Sequence, residues 1–109
     1  MMSRASYADT HRDPVNLLIH AIAVPLFIAG SLWIVVSLFS FDPYGLAAGF
    51  AAIGLSMAGQ GIGHRREATP PDPFDGPRDF ATRVLIEQFV KFPRFVVSGK
   101  WWRNLRTSE

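Results

Sequence analysis

Residues 14–41 read PVNLLIHAIAVPLFIAGSLWIVVSLFSF and residues 43–63 read PYGLAAGFAAIGLSMAGQGIG, with no charged side chain in either and only Asp42 between them. Crossing the ~30 Å hydrocarbon layer of a bilayer as an α-helix takes roughly 20 residues. The two runs, 28 and 21 residues long, both exceed that. A buried helix pair inside a water-soluble protein would need a polar shell, and a 109-residue chain has too few residues left to build one. The pattern predicts two spans, over 14–41 and 43–64, folded as a transmembrane hairpin about Asp42.

Each span opens on the same signature. Asp13-Pro14 and Asp42-Pro43 place an acidic cap before a proline, which suits the first position of a helix because its missing N–H would have no partner there. The first run is about twice the length of a signal-peptide core, and no small-residue cleavage site follows it. Pro25 falls inside it and predicts a kink. The second run is rich in small residues, and the pairs Gly45/Gly49 and Gly59/Gly63 permit close approach of a neighbouring helix.

All 11 Lys and Arg lie outside residues 13–64, two before the pair and nine after it. The positive-inside tendency then predicts that both termini are cytoplasmic and that the Asp42 turn faces the other side. A pI of about 9.5 with a net charge of only +2 does not point to nucleic acid. The cations flank apolar spans, so anionic lipid is the expected counter-charge. With no cysteine, disulfides and thiolate metal sites are excluded.

The chain reads as one membrane domain over 1–109. Residues 1–13 form a polar N-terminal segment. Residues 68–78, with four prolines and a glycine, read as a stiff linker. Over 79–102, Asp79, Arg83, Glu87, Lys91 and Arg94 make a charged stripe on an otherwise apolar helix, which predicts an amphipathic helix lying at the interface or over the hairpin. Pro93 is expected to bend it, and Trp101 and Trp102 to act as an interfacial anchor. The fold class is an all-α membrane protein: a two-helix hairpin followed by a C-terminal amphipathic helix.

In such a hairpin, residues equally far from the turn lie at equal depth. His20 is 22 residues before Asp42 and His64 is 21 after Pro43, so at 1.5 Å per residue they share a level. Asn16 lies one turn before His20, while Gln60 and Glu67 share a face with His64. Pro14 breaks continuity ahead of the first span, so the N-terminal segment can fold His11 back over the pair. Ionisable groups at a membrane helix end are costly unless paired, and three imidazoles with a nearby carboxylate suit a first-row metal such as iron or zinc. Asn16 and Gln60 are the expected partners that fix the imidazole tautomers. The bland reading is that a histidine near a helix end only meets a carbonyl or a headgroup, and no tight motif such as HExxH is present.

The elements Tyr7…His11-Arg-Asp-Pro-Val-Asn16-Leu-Leu-Ile-His20…Pro25 and Gln60-Gly-Ile-Gly63-His64…Glu67…Pro70 resemble the Mpo-like 2-hydroxy fatty acid dioxygenases. The resemblance covers residues 7–70. It implies a membrane enzyme that uses Fe(II) to shorten a 2-hydroxy fatty acid by one carbon, with His11, His20 and His64 as iron ligands. Two residues separate His64 from Glu67 where that family has three, and the additional apolar spans of its longer members are missing. Glu67 and Arg65 are the candidate catalytic contacts, with Arg65 or Arg66 as a partner for the substrate carboxylate; for both arginines the alternative is a purely topological role. Two further readings stand beside this one. His20 and His64 could be axial ligands of haem b, or the chain could be a non-catalytic subunit of a larger membrane complex. The expected partners are membrane lipid or a fatty-acid substrate, with a second copy or a membrane-protein partner completing a site that two helices enclose thinly.

Overall fold

The computed structural model describes residues 6–69 and 72–107. Arg4 and the rest of the first five residues, and Pro70 and Pro71 of the expected linker, lie outside the described residues. Among those described the secondary structure is all helical. Helix α1 spans Pro14–Phe39 and α2 spans Pro43–His64. Both start as the Asp-Pro signature dictates. The Asp13 carboxylate accepts from the Asn16 amide at 3.1 Å, and the Asp42 carboxylate accepts from the Tyr44 and Gly45 amides.

Helix α1 stops two residues short of the expected Phe41. Phe41 adopts a left-handed φ of 51°, its amide donates to the Leu38 carbonyl, and the Asp42 amide reaches the Ser37 carbonyl at 2.9 Å. This is a Schellman closure, which uses up the last carbonyls of the helix and turns the chain at once into the next cap. Pro25 lies within α1 without ending it.

The two helices lie antiparallel along a seam of mostly small residues, spaced by sevens except for one step of four in α2 next to the turn. In α1 these are Asn16, Ala23, Gly30 and Ser37; facing them in α2 are Gly63, Ser56, Gly49 and Gly45. A Cβ at Gly63 would collide with the Asn16 side chain, and one at Gly45 with Ser37. Cβ atoms at Gly30 and Gly49 would each lie 2.9 Å from the other's carbonyl oxygen. The Ser56 hydroxyl donates to the Ala23 carbonyl at 2.5 Å. A seven-residue repeat keeps such a seam in register only if the helices wind gently about each other with a left hand. Three of the four glycines of the GxxxG pairs lie in this seam; a Cβ at Gly59 would meet only Ile19, at an ordinary 3.6 Å.

Away from the seam the helices are bare. Only 28% and 22% of their most apolar windows are buried, and Leu32, Trp33, Val36, Phe50, Leu55 and Ile62 all point outward. Both helices are long and apolar enough to cross a membrane.

The C-terminal region is not the single helix expected over 79–102. Helix α3 (Pro77–Ile86) runs into a π-helical turn (Glu87–Lys91), then α4 (Phe92–Val97), and α5 (Lys100–Thr107) follows a break at Gly99. The cause of the widened turn is Pro93. It has no N–H for the Phe89 carbonyl and its ring crowds that oxygen; the Phe92 amide reaches back five residues to Glu87 instead of four. Gly99 takes a φ of 85°, which only glycine adopts without strain, and reverses the chain into α5. The reversal sets Trp101 on α1. Its indole N–H donates to the Leu17 carbonyl at 3.0 Å, and its ring packs in one core with Leu17, Val24, Phe92 and Phe95. Trp101 is therefore a core residue and not the interfacial anchor expected; Trp102 is the exposed member of the pair.

Candidate metal centre

Three separate devices bring three imidazoles together. His20 comes from the second turn of α1 and His64 is the last residue of α2, and the seam sets both at the same end. His11 arrives from the N-terminal segment. A turn over Ser6–Thr10 precedes it, and the Asn104 amide of α5 donates to the carbonyls of Ala8 and His11 at 2.9 and 2.8 Å. The Tyr7 ring stacks on the His11 ring at 3.8 Å. The fold-back that Pro14 allows is the one observed.

The rings form a nearly equilateral triangle. Centroid separations are 4.7 Å for His11–His20, 4.7 Å for His11–His64 and 4.8 Å for His20–His64, and each pair is close to perpendicular. One nitrogen from each lies within 4.8 Å of the others. Metal–nitrogen bonds of about 2.1 Å hold neighbouring nitrogens roughly 3.0–3.4 Å apart, so modest side-chain rotation closes the triangle on an ion.

The hydrogen bonds leave the right atoms free. His11 Nδ1 lies 2.6 Å from the Tyr7 carbonyl and His20 Nδ1 lies 3.0 Å from the Asn16 carbonyl. A carbonyl only accepts, so both Nδ1 atoms carry the proton and both Nε2 atoms keep a lone pair. His11 Nε2 and His64 Nδ1 are buried with no hydrogen-bond partner. Buried nitrogens without partners are costly in an apolar protein, and a metal ion would satisfy both. Burial first, and then His20 and His64 beside it, push the His11 pKa down to about 2, so this imidazole is held neutral. Neutral imidazoles are ligands; imidazolium ions are not. The donor set fits a first-row metal.

The haem alternative fits less well. Two axial imidazoles on opposite faces of one iron would have ring centroids roughly 6 Å apart, given bonds of about 2 Å. The His20 and His64 rings are closer, at 4.8 Å, and His11 fills the third corner where a porphyrin plane would have to pass.

The other expected site residues stand elsewhere. Glu67 is not in the histidine cluster: its two carboxylate oxygens accept from the Arg12 amide at 2.8 Å, the Asp13 amide at 2.9 Å and the Asn16 side chain at 2.7 Å. It ties the end of α2 to the start of α1, because orphan amides at a helix start attract a carboxylate strongly. Arg65 is exposed just past α2, while its neighbour Arg66 pairs with Asp13 at 2.9 Å. Asn16 supports His20 through its backbone carbonyl, not its amide. Gln60 contacts no imidazole by hydrogen bond. It forms a reciprocal amide pair with Gln88 at 2.9 and 2.8 Å and donates to Ser56.

Two contributors, Gln88 and Asn104, have no place in the reading of the sequence; Tyr7 stands there only as the first residue of the motif and Trp101 only as an interfacial anchor. Only Gln88 left a clear signal. It interrupts a buried stripe of Val84, Phe92 and Phe95, where an amide needs a partner of its own kind. A cleft of about 210 Å³ beside that amide pair reaches the half-buried His64 and is bordered by Phe74 and Glu87. Burial raises the Glu87 pKa. The chain matches no protein-family model, no curated protein and no solved structure.

Proposed function

We propose that this chain is a membrane-embedded, non-haem iron dioxygenase that shortens 2-hydroxy fatty acids by one carbon. The observation that carries the proposal is the triangle of imidazoles at one end of two lipid-compatible helices. Histidine donors suit several first-row metals; the choice of iron, and of the substrate, rests on the motif resemblance over residues 7–70.

The membrane reading has its own support. A core helix of a soluble protein is mostly covered, whereas these two leave most of their apolar surface bare, far more than a soluble monomer tolerates. In the orientation proposed, both termini and the histidine cluster face the cytoplasm. A fatty acid presents its polar head at that level while its chain stays in lipid. The cleft at His64 offers the head a way in, with Phe74 and Met57 as apolar walls.

When bound, iron supplies redox chemistry with oxygen. The reaction balances as 2-hydroxy acid plus O2 giving the acid one carbon shorter, CO2 and water. The chain's own part is positioning. Tyr7 and the Asn16 carbonyl hold two imidazoles in one tautomer, and Trp101, Phe92 and Phe95 exclude water from the side of His11 and His20. A further wall comes from the N-terminal segment and the C-terminal helices of the chain itself.

Metal analysis of purified protein beside His20→Ala and His64→Ala tests the reading, together with conversion of a 2-hydroxy fatty acid under air. About one iron per chain, no Soret band, and loss of metal and product in both variants is the expected result. Wild-type protein that holds no metal, with both variants still assembling and functioning, would instead establish a non-catalytic subunit.

A further inference from the structure

Tyr7, which stacks on His11, also lines a second cleft, of about 340 Å³, which the reaction proposed above does not use. Its size is at the low end of small-molecule sites, roughly 300–1,000 Å³. It is lined by Ser6 and Tyr7 from the N-terminal segment, Lys91 from the π-helical turn, Arg94 and Ser98 from α4 and its end, and Lys100 from the start of α5.

The cations converge there for structural reasons. Lys91, Arg94 and Ser98 follow at i, i+3 and i+7, one face of a helix. Lys100 would point away if the helix continued, but the left-handed turn at Gly99 brings it back to the same hollow. Earlier on the same stripe Arg83 is neutralised by Asp79 at 3.6 Å. Among the described residues none of the three cleft cations has a carboxylate within ion-pair distance. The nearest acid on their stripe, Glu87, lines the cleft at His64 and is close enough to Lys91 and Tyr7 to act on both, but too far to pair with Lys91. Three like charges held around one concavity repel each other unless an anion is shared between them.

We propose that this cleft binds the phosphate of an anionic phospholipid headgroup, with Lys91, Arg94 and Lys100 as the charged contacts and the Ser6, Ser98 and Tyr7 hydroxyls as hydrogen-bonding partners. The phosphate of a lipid is favoured over free phosphate because the cleft opens at the end of the helix pair where headgroups would lie. That choice rests on the spanning arrangement proposed above. A generic attraction of surface cations to a membrane would be spread over all nine basic residues that follow α2. This site localises it to three.

Full-length protein in mild detergent is titrated with dihexanoyl phosphatidylglycerol, dihexanoyl phosphatidylcholine or inorganic phosphate, and apparent affinity is read from the shift of the thermal midpoint. Phosphatidylglycerol is expected to raise the midpoint saturably and phosphatidylcholine to leave it unmoved. Lys91→Gln with Arg94→Gln should weaken the phosphatidylglycerol response at least about tenfold, since charge-assisted bonds are lost. The swap Lys91→Arg with Arg94→Lys should keep it within a few-fold, and Arg103→Gln with Arg106→Gln, outside the cleft, should leave it unchanged. Equal weakening in the last pair, or none in the first, would overturn the site. An equal response to inorganic phosphate would overturn the lipid assignment in favour of a soluble anion. Carbonate extraction of wild-type membranes reports the spanning arrangement separately: protein released to the supernatant would defeat that arrangement whatever the titration shows.

Discussion

The two ends of the α1–α2 pair share one seam and little else. At the Asp42 end, Gly30 meets Gly49 and Ser37 meets Gly45, and the large side chains beside them, Phe39, Phe41 and Tyr44, are 84%, 91% and 86% exposed. At the other end the seam continues through Asn16 and Gly63, but Asn16, Leu17 and His20 are at most 1% exposed. Close backbone approach holds the first end, where a single buried side-chain group among the described residues, the Ser37 hydroxyl, is left without a partner. The second end buries imidazoles and amides, and each of those needs a wall and a partner. The N-terminal segment and the C-terminal helices supply the walls and part of the partners, and leave His11 Nε2 and His64 Nδ1 unpaired. Small residues make the seam; polar residues require the cover.

The sharpest way to break the comparison is to open the seam itself. A Cβ at Gly49 would lie 2.5 Å from the Ile34 side chain and 2.9 Å from the Gly30 carbonyl, and the latter is backbone that cannot rotate away. Gly49→Val is expected to destabilise the protein by about 3 kcal/mol or more, at the upper end of overpacking costs. Both ends should suffer together, because the histidine level depends on seam register. Gly54→Ala is the control. Nothing lies within 4 Å of a Cβ there, so stability should be unchanged or rise by up to about 1 kcal/mol through helix propensity. Denaturant titration followed by circular dichroism reads both.

The cover can be loosened with the seam intact. Asn104→Ala removes the amide that holds the Ala8 and His11 carbonyls and should cost about 1–3 kcal/mol, the penalty for buried groups left unpaired. Metal affinity, measured by competition with a chelator, should fall about tenfold, as when a ligand loses its outer support. Helical content should stay near wild type. If Asn104→Ala left metal affinity untouched, the C-terminal helices would not be what positions His11.

How far the sequence revealed this arrangement follows the same division. The Asp-Pro caps are local signals, so the starts of α1 and α2 are readable at Pro14 and Pro43. The level of His20 and His64 follows from counting residues, because a membrane-length helix leaves no freedom in rise. The cover is different. Its contacts pair Asn104 with Ala8, Trp101 with Leu17 and Gln88 with Gln60, residues 28 to 96 positions apart with no periodic pattern linking them. Glu67 shows the cost of reasoning from helix face alone. It follows His64 by three residues, yet its carboxylate bonds the amides of Arg12 and Asp13 and no imidazole. Pro93 was legible as a bend, but whether a helix answers proline with a kink or with one wider turn depends on packing that the sequence does not display.

A pair of changes distinguishes a polar group that holds the cover from one merely tolerated in it. Gln60 and Gln88 exchange two hydrogen bonds across the gap between α2 and the π-helical turn. Gln88→Leu alone should cost about 1–3 kcal/mol, since the buried Gln60 amide then keeps only its bond to Ser56.

Replacing both amides by leucine should recover most of that loss, because two apolar groups of similar volume leave nothing unsatisfied. The net change expected for the double variant is within about 1 kcal/mol of wild type, the smallest effect of the series. The cleft beside His64 would then lose its two amides while keeping Arg83, Glu87 and its shape. If the pair serves stability alone, the double variant turns over a 2-hydroxy fatty acid as wild type does; a raised KM with kcat unchanged would mean that the amides also meet the substrate. Should the double variant be as unstable as the single one, the pairing would matter through geometry that leucine cannot imitate, and the rule drawn from the two ends of the seam would need to include shape as well as polarity.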